Sequence, residues 1–173
     1  GAKTKPFGFM PFYPSIGVGG HCIPVDPKYL LWKINKSNFN SPLITASMKR
    51  LDYIKHESFL KIKKQLKKQS KVLVLGVSYK KNISDTRESP AIYLIKKMIK
   101  SGFKVDFYDP HVPSILNKEL KSIDLSIKNI KKYHIVLICM AHDKVDFNFV
   151  LKHSKRIIDP FNLYKKNKKV ICI

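Results

Sequence analysis

A chain of 173 residues is long enough for one domain, or one domain with an appendage. No apolar run approaches the ~20 residues of a membrane span, no signal-peptide pattern opens the chain, and three cysteines do not make a disulfide framework, so a cytoplasmic protein without a membrane partner is expected. The net charge of +22 raises nucleic-acid binding, but of the 34 basic residues all except Arg50, Arg87 and Arg156 are lysine, scattered among isoleucine and asparagine. Dedicated nucleic-acid surfaces lean on arginine for bidentate contacts, so the charge is read as compositional drift and no nucleic-acid partner is expected.

Residues 1–27 hold five of the ten prolines (Pro6, Pro11, Pro14, Pro24 and Pro27) and read as an ordered loop, with Phe7, Phe9 and Phe12 packing as core. Asp26-Pro27 reads as a helix start, aspartate as N-cap and proline at the first helical position, followed by a short helix over 29–34. From 41 to about 68 the spacing of Leu51, Ile54, Ile62 and Leu66 predicts one long helix, roughly 40 Å, with its lysines on a solvated face. Residues 71–76 form an apolar run ending in glycine, as a buried parallel strand does. Ser89-Pro90 opens a helix through Lys100 that Gly102 closes, and 104–108 is the next strand. Strands over 133–140, 156–158 and 170–173, with a helix near 147–153, complete an alternation that argues for a parallel α/β sheet. The turn after 71–76 has only Gly76, so it lacks the Gly-x-Gly-x-x-Gly fingerprint of a dinucleotide site. Asp109, placed where such folds put a ribose-binding acid, is read as a cap or turn residue.

Three of the seven glycines fall in Gly17-Val18-Gly19-Gly20-His21-Cys22, where they turn backbone N–H groups toward a ligand and clear space around a thiol. Cys139, in an apolar run, and Cys172, beside Ile171 and Ile173, read as small buried hydrophobes. Cys22 does not. An ordinary thiol of pKa about 8.5 is only a few per cent thiolate at neutral pH, so a glycine loop just before a helix start suits a nucleophile. No metal-ligating set is read from the sequence.

Two blocks carry a family resemblance. The run Lys5-Pro6-Phe7-Gly8-Phe9-Met10-Pro11-Phe12-Tyr13-Pro14 followed by Gly17 to Pro27, and the run Leu75-Gly76-Val77-Ser78-Tyr79-Lys80-Lys81-Asn82-Ile83-Ser84-Asp85-Thr86-Arg87-Glu88-Ser89-Pro90-Ala91, together resemble the active-site and UDP-binding segments of the nucleotide-sugar 6-dehydrogenases. The resemblance implies an α/β fold in which a long connecting helix precedes a Rossmann-like parallel sheet. It implies residues 1–68 as active-site loop and central dimerisation helix and 69–173 as the UDP-binding domain of a longer enzyme, whose NAD-binding domain lies outside this chain. Cys22 matches the nucleophile that adds to the substrate aldehyde. Asp26 matches a position assisting water or the oxyanion, and as an N-cap would equally be structural. Tyr13, Pro14, Ser15, Ile16, Gly17, Val18 and Gly19 match substrate-contacting positions, and Tyr79 and Lys80 the pair contacting UDP. Arg87 matches a position reaching NAD, the alternative being a structural pair with Asp85 or Glu88; Val25 matches a second cofactor-side position. With Val25 and His21 where glucose-specific members have lysine and serine, the chain is most similar to the branch acting on UDP-N-acetylglucosamine, the N-acetylmannosamine enzymes coming next. Ser15-Ile16, Asp52 and Phe161 depart from the family pattern of Gly-Pro, asparagine and arginine. The implied function is oxidation of C6 of a UDP-N-acetylhexosamine for surface polysaccharide synthesis, by a homodimer built on the long helix. Competing readings are a UDP-sugar-binding module without catalysis and a basic nucleic-acid binder.

Overall fold

The computed structural model describes residues 1–164 and 167–173. After a 3-10 turn at Ala2–Thr4, the chain runs as a loop, largely exposed as far as Ser15 and then buried at Ile16 and Gly20, to helix α1, Cys22–Lys36. This helix begins four residues before the Asp26-Pro27 start expected from sequence, so Asp26 is not its N-cap. The reason lies in the prolines. Pro24 falls in the first turn, where N–H groups have no intrahelical partner anyway, and Pro27 removes a single bond while keeping a helical φ. The phenylalanines also depart from expectation. Phe7, Phe9 and Phe12 are 76%, 43% and 84% exposed, because the loop they lie on passes over no core of this chain.

Helix α2, Pro42–Gln65, has proline at its first position and a length of about 36 Å. It stops short of Lys68 because Leu66 turns extended to pack on the core and residues 67–70 close a turn, the Ser70 amide donating to the Lys67 carbonyl at 3.0 Å and the Lys67 amide to Ser70 Oγ at 3.1 Å. Strand β1, Lys71–Leu75, leads to α3, Pro90–Lys100, which Ser89 caps by accepting the Ala91 amide. Then come β2, Lys104–Tyr108; a small antiparallel pair, β3 (Ser114–Ile115) and β4 (Leu120–Lys121); α4, Ile127–Ile130; β5, Ile135–Ile138; α5, Phe147–His153; β6, Ile157–Ile158; and β7, Val170–Ile171.

The main sheet has the order β2-β1-β5-β6-β7 with every neighbouring pair parallel. Period-two alternation splits β1 between two cores. Val72 and Val74 meet Leu94, Ile95 and Met98 of α3 and Phe59 and Ile62 of α2; Leu73 and Leu75 meet Ile130 of α4 and Val150 of α5. The chain is thus α/β, a long helix followed by a parallel sheet covered on both faces. The order reverses between β1 and β5, and sheets of this kind place ligands beyond the strand carboxyl ends at such a reversal.

Candidate functional site

The glycine loop seats on the segment that follows β1. The Gly20 amide donates to the Arg87 carbonyl at 2.9 Å. At Gly19 an added Cβ would lie 2.7 Å from Tyr79 Cβ and 3.0 Å from the Glu88 carbonyl oxygen, so only glycine admits this approach. The two blocks singled out in the sequence, some sixty residues apart, therefore form one surface.

Cys22 opens α1 and is exposed, at a helix end whose free N–H groups favour an anion. Asp26 follows one turn later, with Oδ1 3.6 Å from His21 Nδ1 and both side chains more than half exposed. Arg87 is clamped by Asp85, its Nε donating at 2.9 Å and a terminal nitrogen at 2.7 Å to the same carboxylate oxygen. Those bonds lower the Asp85 carboxyl below its ordinary range, and Asp85, with weaker contributions from Tyr79 and Cys22, raises the guanidinium. The structural pairing weighed for Arg87 is therefore present, yet its side chain remains 64% exposed.

The loop carrying Tyr79 and Lys80 is held from beneath by a buried polar network that sequence reading missed. Asp109 Oδ2 accepts the amides of Val77 at 2.7 Å and Ser78 at 3.3 Å, while Oδ1 accepts those of His111 and Val112. His142 Nδ1 accepts the Asn82 amide at 2.9 Å, which places the ring proton on Nε2, 3.1 Å from Asp109 Oδ2. Burial pushes the Asp109 carboxyl up, but the bonds from His142, Val77 and His111 outweigh it and hold it below the usual range. Asn82 bonds Asp143 through both ends of its amide, and Lys81 pairs with Asp143, closing the loop after β1 onto the loop after β5. Tyr79 is half-buried, its amide donating to the Asp85 carbonyl; Lys80 is exposed and makes no ion pair among the described residues. Asp109 is thus a turn residue, as expected.

The remaining site residues separate. Tyr13, Pro14, Ser15, Ile16, Gly17 and Val18 line a groove of about 370 Å³ whose far wall is Arg50, Glu57 and Lys61 of α2 with Pro160 and Ile173. Arg50 and Lys61 both pair with Glu57, at 3.2 and 3.6 Å. Lys61 keeps the solvent exposure expected of the long-helix lysines while lining this wall, and the spacing of 50, 57 and 61 was the available signal that one face lines a groove. Cys22 and Asp26 instead line an open apolar groove of about 760 Å³ between α1 and α2, with Leu30, Leu43, Met48 and Leu51. Val25 is half-buried on α1, its amide donating to the His21 carbonyl.

The departures from the family pattern have local explanations. Ile16 is core at 4% exposure, Asp52 pairs with Lys55 at 3.3 Å, and buried Asp159 accepts the amides of Phe161, Leu163 and Tyr164. Cys139 is buried, and burial pushes its thiol far up. Cys172 corrects the sequence reading: it is exposed, because β7 ends at Ile171 and the terminus leaves the sheet.

Residues 73–166 match the UDP binding domain of the UDP-glucose/GDP-mannose dehydrogenase family, and residues 1–50 match that family's central domain. The UDP-N-acetyl-D-mannosamine dehydrogenase of Methanocaldococcus jannaschii is 38% identical over 145 residues, covering 83% of this chain and 32% of that protein. The UDP-N-acetyl-D-glucosamine 6-dehydrogenase of Salmonella typhi is 32% identical over 150 residues, covering 83% and 35%. A solved structure of the UDP-D-ManNAc dehydrogenase of Pyrococcus horikoshii superposes with a TM-score of 0.71 at 29% identity, over 96% of this chain and 40% of that one. The chain spans about a third of the length of the curated relatives it matches. Two domain matches in chain order, the same parallel α/β architecture and the same two sequence blocks meeting in space place this chain in the UDP-glucose/GDP-mannose dehydrogenase family.

Proposed function

We propose that this chain is the substrate-binding and nucleophile-bearing part of an NAD-dependent dehydrogenase that oxidises C6 of a UDP-N-acetylhexosamine to the uronic acid. One observation carries the reading: an exposed cysteine at a helix N-terminus, in a glycine loop seated on Tyr79 and adjoining Arg87. The names of the relatives support the substrate class, both N-acetylated epimers being represented among them. Within this reading residues 1–68 are active-site loop and dimerisation helix and 69–173 the UDP-binding domain. Exposed Leu43 and Tyr53 on α2 suit a homodimer, and the uronic acid would feed surface polysaccharide synthesis in the cytoplasm.

For NAD, the sheet of this chain is not the cradle. A Cβ at Gly76 would lie 2.5 Å from both Cβ and carbonyl oxygen of Met140, so the turn where a dinucleotide pyrophosphate would approach is filled by protein. What fits the cofactor here is an edge, the exposed guanidinium of Arg87, with Val25, three residues after Cys22 on α1, as the second cofactor-side position. NAD, when bound, supplies the acceptor for the two hydrides that the four-electron oxidation of an alcohol to an acid releases.

The residues of this chain would divide the remaining work. Lys80, unpaired and exposed, meets the uridine diphosphate charge with a contact of roughly 1.5 to 3 kcal/mol. Residues 13–18 lie on the same loop as Cys22 but line a separate groove, which would take a part of the substrate away from C6. The Cys22 thiolate adds to the C6 aldehyde and holds it as a thiohemiacetal; after oxidation the resulting thioester is cleaved by water, whose proton Asp26 would take. In the intact protein containing this chain, Cys22→Ala should abolish net NAD reduction with a UDP-N-acetylhexosamine; unchanged turnover refutes the proposal. The filled turn at Gly76 also favours a second reading, a UDP-sugar-binding module without catalysis, for which calorimetry on this chain would give heat with UDP-N-acetylglucosamine and none with NAD.

A further inference from the structure

The start of α1 brings three different ligand types together. The Sγ of Cys22, a ring nitrogen of His21 and a carboxylate oxygen of Asp26 all lie within 4.8 Å of one another, and all three residues are exposed. The geometry has a local cause. Cys22 and Asp26 are one helical turn apart and so share a face of α1, the spacing by which helices present paired metal ligands, while His21 sits at the N-cap and folds back over that face. The edge of a tetrahedron with metal–ligand bonds of 2.0 to 2.3 Å is about 3.3 to 3.7 Å. His21 Nδ1 and Asp26 Oδ1 are already 3.6 Å apart, so two of the three ligands stand at the separation a tetrahedral ion requires. The Cys22 sulfur lies within 4.8 Å of both, on an exposed side chain.

We propose that Cys22, His21 and Asp26 form a three-ligand site for a thiophilic divalent cation of the zinc class, and that occupancy shuts off the Cys22 sulfur. Thiolate, imidazole and a single carboxylate suit zinc; magnesium, which requires an octahedron of oxygens, has one ligand here. The fourth position opens to solvent, since the His21 and Asp26 side chains are 51% and 58% exposed. Binding exchanges the thiol proton for the metal: the proton leaves to solvent, a sulfur–metal bond forms, and no electron moves. With three ligands instead of four, a positive helix end nearby and a strongly cationic chain around it, the site is looser than a structural zinc centre and gives up its ion to a chelator. A sulfur coordinated to zinc is not free to attack carbon, so the metal acts as a reversible blocker. The inference stands on ligand geometry and holds whether or not Cys22 serves as a nucleophile.

The test is alkylation of this chain by iodoacetamide, with the modified peptides quantified by mass spectrometry. Exposed Cys172 is the internal control and buried Cys139 the unreactive reference. A tenfold molar excess of Zn²⁺ should slow labelling of Cys22 about tenfold, leave Cys172 unchanged, and be reversed by EDTA, while Mg²⁺ has no effect. His21→Ala and Asp26→Asn should each remove the protection; both side chains are exposed, and the Cys172 rate reports that the fold is intact. An unchanged Cys22 rate with Zn²⁺, equal protection by Mg²⁺, or undiminished protection in either variant overturns the proposal. None of those results bears on the NAD-reduction assay of Cys22→Ala, so the two claims fail separately.

Discussion

Replacing Gly19 with alanine tests whether the glycine loop must touch the Tyr79 turn. The new Cβ would stand 2.7 Å from Tyr79 Cβ, 3.0 Å from the Glu88 carbonyl oxygen and 3.2 Å from Pro90 Cδ. Carbon atoms settle at about 3.5 to 4.0 Å, so the overlap with Tyr79 is close to ~1 Å. None of the three neighbours is a flexible tip: one is a Cβ fixed to its backbone, one is backbone, and one is a proline ring at the first position of α3. The loop must therefore give, and with it the Gly20 to Arg87 hydrogen bond and the position of Cys22. Overpacking of this kind costs about 1 to 3 kcal/mol, and a displacement of ~1 Å at a reacting group costs on the order of a hundredfold in rate. Urea denaturation of the chain and NAD reduction by the intact protein measure the two effects. Stability unchanged within about 0.5 kcal/mol together with turnover unchanged within about twofold would show that the contact does not position the cysteine.

Two further substitutions probe the scaffold beneath the site. Asp109→Asn turns an amide N–H₂ toward backbone donors that now bond a carboxylate, and should cost about 1 to 3 kcal/mol at neutral pH. Because the folded Asp109 carboxyl lies below its unfolded value of about 3.9, its contribution is complete above that pH and is lost as pH falls through the lower folded value. The stability gap between wild type and Asp109→Asn should therefore narrow below about pH 4, and a gap constant from pH 7 to pH 3 contradicts the assignment. Asp159→Ala removes the acceptor of three part-buried amides, those of residues 161, 163 and 164, and should lower the melting temperature by about 5 °C; an unaltered melting curve would mean that the turn satisfies them otherwise.

Much of the framework was readable because it rests on signals that act over a few residues. Ser89-Pro90 and Gly102 delimit α3 by capping, and strand β2 and helix α5 fall at the positions their polarity patterns mark. The exposed setting of Cys22 at a helix start was legible for the same reason, since a glycine-rich approach and a helix end are both local. Local rules failed where two signals competed or where the partner was distant. Asp26-Pro27 marks a helix start, and only the folded chain shows that the helix begins four residues earlier with Pro24 in its first turn. Phe7, Phe9 and Phe12 look like core until it emerges that no core of this chain lies beneath them.

The amino-acid sequence by itself determined the parallel α/β class, the nucleophile candidate and the family, through periodicity, capping and two motif blocks. Tertiary structure alone decided that Gly19 lies against Tyr79, that Asp109 and His142 meet under the loop after β1, and that Arg50, Glu57 and Lys61 stand beside residues 13–18. Periodicity and capping are settled by backbone hydrogen bonds within one or two turns. A contact between residues 33 or 60 positions apart depends on how helices and strands pack across the whole sheet, which no short stretch of sequence encodes.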